Sequence, residues 1–404
     1  FADNWPNRAR FWFPAVDHPS DKATATFAVH APASWVVVAN GAREGEPTEG
    51  PSTLDGSPRR TWRWSIKEPV STYNFVIGAA EMVIVPLGTA ACGRAPNSRR
   101  EDGCVEVSAW LFAEDADQAQ RTFRRAPEIV DYYTQLIGPY AFEKLAHVEG
   151  ATVFGGMENA SAIFYDDKGL ASGDDHEDTV THETAHQWFG AQVTETDWPD
   201  LWLSEGFATY FGMLFFEHAD GADAFRRRME QAREVYLSSK LTNRPVIEAQ
   251  AHDLFELINV NNYQKAGWVL HMLRGIVGDE TFFGGIRTYY ERYAGQNVTT
   301  DEFRRVMEDA ANRDLSWFFE QWLRQPGYPV LNAAWTYDAA VNEVVVSVTQ
   351  AQSDSWPAFR LPMEIRVETA SRKFESHSVE MRERVQRFRI PADAEPRTVT
   401  IDPR

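Results

Sequence analysis

Over roughly the first 110 residues, β-branched and aromatic side chains fall in short runs separated by turn formers, the pattern of half-buried strands. Thr24 to His30, Trp35 to Val38, Thr61 to Ile66 and Asn74 to Ile77 are such runs, punctuated by Pro32, Asn40-Gly41 and Asp55-Gly56. Around Asp115 the period lengthens. Phe123, Val130, Tyr133 and Ile137 recur at helical spacing until Gly138-Pro139 stops them. Further helices are predicted over 178–194, 204–218, 222–238, 263–278, 280–293, 300–312 and 315–323. Gln325-Pro326-Gly327 breaks the helical run, and Val344 to Val348, Met363 to Val367 and Arg387 to Ile390 return to strand patterning.

This order predicts an α+β multidomain chain: an N-terminal β domain over 1–110, a mainly helical domain over 111–325 and a small C-terminal β domain over 326–404. A length of 404 residues exceeds what one ordinary core serves. With 43% hydrophobic and 25% charged residues the composition is that of a soluble globular protein. No run approaches the roughly 20 apolar residues of a membrane span. The net charge of −19 argues against nucleic acid as a partner, because a phosphate backbone calls for clustered Lys and Arg. A negative surface would instead draw in peptides by their protonated amino ends. Arg226, Arg227 and Arg228 read as a solvated helix face.

Cys92 and Cys104 flank a loop containing Gly93, Pro96, Asn97, Asp102 and Gly103. They form either a disulfide or two free thiols, but not a zinc site, for which two more ligands at suitable spacing are missing. The balance leans to an extracytoplasmic, periplasmic or secreted setting. The chain opens at Phe1 with residues that read as domain interior, so a preceding segment, with any targeting signal, is expected to lie outside this sequence.

The chemistry concentrates in Thr181-His182-Glu183-Thr184-Ala185-His186, an H-E-x-x-H pattern in a helical stretch. Positions four apart share one helix face, so His182 and His186 can reach a single metal ion about 2.1 Å from each nitrogen. Glu183 neighbours that face and is placed to act as general base. A catalytic zinc takes three protein ligands and leaves a position open. The extension that would supply a further histidine is absent, since Phe189 and Gln192 occupy its places. Trp202-Leu203-Ser204-Glu205-Gly206-Phe207-Ala208 offers Glu205 instead, after a gap of eighteen residues. That gap suits a loop through Pro199 and a second helix returning antiparallel.

This three-ligand pattern resembles the gluzincins, and its Trp-Leu-Ser-Glu-Gly-Phe-Ala context is similar to the aminopeptidase N family. Gly155-Gly156-Met157-Glu158-Asn159 resembles that family's G-x-M-E-N exopeptidase motif. The resemblance implies a thermolysin-like helical catalytic domain with one catalytic Zn²⁺ ion, between an incomplete N-terminal β domain and a C-terminal β-sandwich. It implies a zinc aminopeptidase acting on peptides with a free amino terminus. Glu158 would take the ammonium through a charge-assisted hydrogen bond, and Gly155 and Gly156 would let the peptide backbone approach. Tyr263, in Tyr263-Gln264-Lys265-Ala266-Gly267, matches the tyrosine that stabilises the tetrahedral intermediate.

Two of the chain's departures from the family bear on how substrate is held. Relatives place a Glu or Gln from the β domain beside the substrate amine, where this sequence has Trp5, and no neighbour is assigned that role. No long helical domain follows the C-terminal strands, which predicts an open cleft. The rival readings are a zinc endopeptidase on the same ligands, which needs no amine anchor, and a non-catalytic peptide-binding scaffold.

Overall fold

Antiparallel pairing dominates the first eighty residues. In the computed structural model, which describes residues 1–2, 4–150, 152–172, 176–369 and 374–403, Lys22–Pro32 runs beside Pro58–Ser71 with Phe27 opposite Trp64. Ala42–Arg43 and Thr48–Pro51 also pair with Pro58–Ser71, and Val36–Ala39 pairs separately with Ile77–Ala80. The alternation read in Thr61 to Ile66 is realised: Trp62, Trp64 and Ile66 are buried while Arg63 is exposed. The strand expected over Asn74 to Ile77 starts late, because Thr72–Asn74 form a 3₁₀ turn. There the Asn40 side chain donates to the Asn74 carbonyl at 2.9 Å and accepts from Val76 N at 2.7 Å, so a side chain replaces a neighbouring strand as backbone partner.

A five-stranded sheet follows in the order Val83–Ala90, Val105–Leu111, Lys144–Gly150, Ala162–Asp166, Gly156–Met157. Its two inner pairings are parallel and its outer ones antiparallel. The sheet takes strands from both sides of residue 110 and leaves Gly156–Met157 at its edge. Cys92 and Cys104, between its first two strands, are joined by a disulfide.

The helices Glu177–Ala185, Trp202–Asp220, Ala222–Ser238, Ala266–Val277, Asp279–Tyr293 and Thr300–Ala311 carry the middle of the chain. Trp202–Asp220 is buried along most of its length and packs against three others, Glu177–Ala185, Ala222–Ser238 and Ala266–Val277. Thr299 and Glu302 close a capping box ahead of Thr300–Ala311. The helix expected over 178–194 ends at Ala185. Ala191 N then bonds to the His186 carbonyl and Val193 N to the Trp188 carbonyl, and Gly190 adopts φ +119°, closed to most L-residues. No helix among the described residues is long and apolar enough to cross a membrane.

The chain forms two compact units, Phe1–Ser238 with Ile247–Leu315, and Ser239–Val246 with Ser316–Arg404. The second begins before the boundary expected at residue 326 and includes a returning segment. It holds two three-stranded antiparallel sheets, one of Leu331–Asp338, Glu343–Gln350 and Val385–Pro391, the other of Phe374–Met381, Leu361–Thr369 and Pro396–Ile401. Val344, Val346, Val348, Ile365, Val367, Met381 and Ile390 from both sheets make its core.

Candidate active site

His182 lies in the last turn of Glu177–Ala185, and His186 caps it with φ −59° and ψ −22°. His186 therefore keeps helical geometry, and the four-residue spacing brings the two Nε2 atoms to 3.1 Å. Trp202–Asp220 packs across that helix and delivers Glu205 from its first turn. Glu205 Oε2 stands 3.2 Å from His182 Nε2 and 3.3 Å from His186 Nε2. Four donors around a tetrahedral ion with bonds near 2.1 Å stand about 3.4 Å apart, close to the separations of these three atoms, which therefore suit a zinc with one position left open. Two imidazoles and one carboxylate are also a donor set of that class of site.

Supports that sequence reasoning missed hold these ligands. His186 Nδ1 lies 3.0 Å from the Phe189 carbonyl and 3.0 Å from Ser204 Oγ, which turns Nε2 toward Glu205. Gly190 makes room, since a Cβ there would fall 2.4 Å from Ser204 Oγ. Ser204 directly precedes Glu205, the one sequence signal for its role.

Glu183, buried between the histidines' helix and the Gly156–Met157 edge, can bring a carboxylate oxygen within 4.8 Å of ligand atoms of both His186 and Glu158. Burial pushes its carboxyl well above the ordinary range; His186 opposes this, and the Glu158 and Glu205 carboxylates add to it. A dication on the three ligands would pull it back down. A Cβ on Gly156 would meet the Glu183 carboxyl at 2.5 Å, so the edge strand lies directly against the general-base candidate, and a larger residue there would displace its carboxyl. Gly155 has no protein atom within 4 Å of a Cβ built on it, so it faces open space in the cleft.

Gln187 fixes the spacing between the two motifs. Its Nε2 donates to the Glu158 carbonyl at 3.2 Å and its Oε1 accepts from Ser161 N at 2.8 Å. Tyr263 arrives on a one-turn π-helix, Asn261–Lys265, ahead of Ala266–Val277, an irregularity common at functional positions. Its ring stacks 5.8 Å from His182. Burial and then the Glu205 carboxylate push its phenol well above the usual value, so it stays a donor at neutral pH. His182, Glu183, His186, Glu205, Gly155, Gly156, Glu158 and Tyr263 line one cavity of about 530 Å³, together with Trp5, Phe154, Met157, Asp178, Arg228 and Gln231 among others. Trp5 thus reaches the cleft. Asn4 does not, since its amide bonds the Phe75 carbonyl and Trp12 Nε1; Asp3 lies outside the described residues.

His182, His186 and Glu205 are thus arranged as the zinc ligands of H-E-x-x-H metallopeptidases are. Residues 122–322 match the Peptidase family M1 domain and residues 2–74 the Peptidase M1 N-terminal domain; the chain belongs to peptidase family M1. Human glutamyl aminopeptidase is 29% identical over 347 residues, covering 82% of this chain and 34% of its own. Aminopeptidase N of Streptomyces lividans is 29% identical over 358 residues, covering 82% and 38%. The chain thus spans about a third of the length of these curated relatives. Among solved structures, an M1 zinc metallopeptidase from Deinococcus radiodurans superposes with a TM-score of 0.66 at 25% identity, over 81% of this chain and 69% of that one. Legionella pneumophila aminopeptidase A in complex with aspartic acid gives 0.81 at 16% identity, over 98% and 45%, a likeness of fold.

Proposed function

We propose that this chain is a zinc aminopeptidase that hydrolyses the first peptide bond of peptides with a free amino terminus. The observation that supports the reading is the juxtaposition of Glu158 with Glu183 and His186, whose carboxylate and imidazole atoms lie within 4.8 Å of one another. Bound on His182, His186 and Glu205, zinc supplies Lewis acidity to the scissile carbonyl and to water. Glu158 accepts hydrogen bonds from the ammonium and so sets the register at one residue. Glu183 takes the proton of the attacking water and delivers it to the leaving amine. Tyr263 donates to the oxyanion from a fixed position. Gly155 and Gly156 leave room for the peptide backbone beside the strand edge.

The same reading divides the first unit into a β part and a thermolysin-like helical part, with the two C-terminal sheets closing as a β-sandwich. The Cys92–Cys104 disulfide supports an extracytoplasmic setting.

Hydrolysis of aminoacyl amides with free or acetylated amino ends, with and without a zinc chelator, tests the proposal. Chelator-sensitive release from free-amine substrates alone is expected; equal cleavage of acetylated ones would make the chain an endopeptidase. Glu183→Gln should retain stoichiometric zinc and lose at least about 10²-fold in kcat. Substantial turnover by that variant would remove Glu183 from the mechanism.

A further inference from the structure

A second cavity, of about 450 Å³, shares no lining residue with the one that holds the zinc ligands. One wall is a single face of Asp279–Tyr293 and its cap, where Arg287, Tyr290, Glu291 and Ala294 recur at the three- and four-residue steps that line up on a helix. Ile137, Gly138 and Pro139, just past the helix Ala126–Leu136, line it too, as do Arg94 and Pro96 of the disulfide loop. Glu68 and Gln192 complete its polar lining. Hydrogen bonds fix this frame. The Tyr290 hydroxyl donates to the Pro139 carbonyl at 2.8 Å, and Trp188 Nε1 donates to the Gly138 carbonyl at 2.9 Å. The Gln192 carbonyl accepts from Lys22 Nζ at 2.8 Å and from Gly295 N at 3.0 Å. The walls are set before a ligand arrives, which lowers the ordering that binding must impose.

Charges of both signs surround the cavity. Among the described residues, the exposed guanidiniums of Arg94 and Arg287 have neither an ion-pair nor a hydrogen-bond partner, and the exposed Glu291 carboxylate has none either. The Glu68 carboxylate is held in place, accepting from Asn97 Nδ2 at 2.7 Å and from Gln192 Nε2 at 3.4 Å. Ile137, Pro139, Ala141, Ala294 and the Tyr290 ring supply apolar surface between these groups. Guanidiniums bind a carboxylate through charge-assisted, often paired hydrogen bonds. The two carboxylates repel a plain anion such as phosphate and accept an ammonium. A free α-amino acid carries both of its charged groups on one carbon and brings a side chain for the apolar part.

We propose that this cavity is a second binding site, for a free amino acid, with the carboxylate on Arg94 and Arg287, the ammonium on Glu68 and Glu291, and an apolar side chain against Tyr290 and Ile137. Binding there does not depend on the chemistry at the zinc. Under the aminopeptidase reading the ligand is of the kind the reaction releases, held away from the residues that release it.

Calorimetric titration of leucine into the zinc-loaded Glu158→Ala chain, which lacks the amine anchor of the first cavity, tests the proposal. Leucine should bind, and adding Arg94→Ala together with Arg287→Ala should weaken it at least about 10-fold, the usual cost of losing a hydrogen bond to a charged group. Both arginines are exposed, and an unchanged urea midpoint shows that the doubly substituted chain is folded. N-acetyl-leucine, which lacks the ammonium, and leucinamide, which lacks the carboxylate, should each bind at least about 10-fold more weakly than leucine. Inorganic phosphate should not displace it. Absence of leucine binding, or binding that the arginine changes leave untouched, overturns the proposal. So does displacement by phosphate or equal binding of N-acetyl-leucine, either of which would make the cavity a simple anion site. No step requires turnover, so a failed aminopeptidase reading, seen as no cleavage of free-amine amides, leaves this result standing.

Discussion

Glu158 and Glu183 can both approach one histidine, yet their backbones give them different work. Glu183 rides the histidines' helix; Glu158 hangs from a strand edge whose carbonyl Gln187 holds. Tyr263 differs again, a neutral donor on a π-turn. Tyr263→Phe should lower kcat about 10²-fold while KM changes only a few-fold, since an oxyanion donor acts in the transition state; steady-state kinetics on a Leu amide checks this. Ser204→Ala, which frees His186 Nδ1 from one of its two partners, should weaken zinc binding about 10-fold by chelator competition. His182, Glu183, His186 and Glu205 were legible in sequence because helix periodicity and a short loop bring them together. Gln187 was not. Gln187 finds its partners across the fold at Glu158 and Ser161, and nothing in Gln187-Trp188 announces them.

At the scale of elements, the amphipathic helices were readable and several strands were not. Lys144–Gly150 and Ala162–Asp166 are covered on both faces, which erases the alternation that marks a half-buried strand, and His147 and Glu149 make the first look polar. The helix predicted to residue 194 stopped at Ala185 because a turn built on Gly190 outweighs the apolar spacing. Close helix contact explains another local choice. A Cβ on Gly206 would fall 2.5 Å from that of Ala266, so the helix bearing Glu205 and the one following Tyr263 touch through a glycine. Gly206→Ala should cost about 1–3 kcal/mol in urea unfolding and reduce zinc content, and Ala266→Gly in the same chain should restore both. Failure of the second change to rescue would show that this contact does not set the spacing.

Across the whole molecule, ionisable groups buried away from the site couple stability to pH. His147 is fully buried between the Phe123 ring at 4.9 Å and the Tyr165 hydroxyl at 2.9 Å, and burial lowers its pKa from 6.5 to about 3. The unfolded chain takes up this proton below about pH 6.5 while the folded chain does not. Stability from this group is thus complete above that pH and is lost as the pH falls toward about 3. Between pH 6.5 and 5 the loss should be about 1–2 kcal/mol, and His147→Gln should flatten it in urea midpoints taken at both values. Equal slopes would assign the acid sensitivity elsewhere. The β–helix–β order of the chain was visible in its periodicity, whereas the five-stranded sheet was not, since it joins strands on both sides of residue 110.

The Gln187 clamp makes the active site a gauge with fixed jaws. One jaw is the ligand-bearing helix and the other the strand edge that leads into Glu158, and the Gln187 side chain ties them together. A peptide that begins with a β-amino acid offers its ammonium one carbon too far from the bond to be cut. Such a peptide should occupy the cleft yet resist hydrolysis, a lock cut to the wrong notch and therefore a reversible blocker of the enzyme.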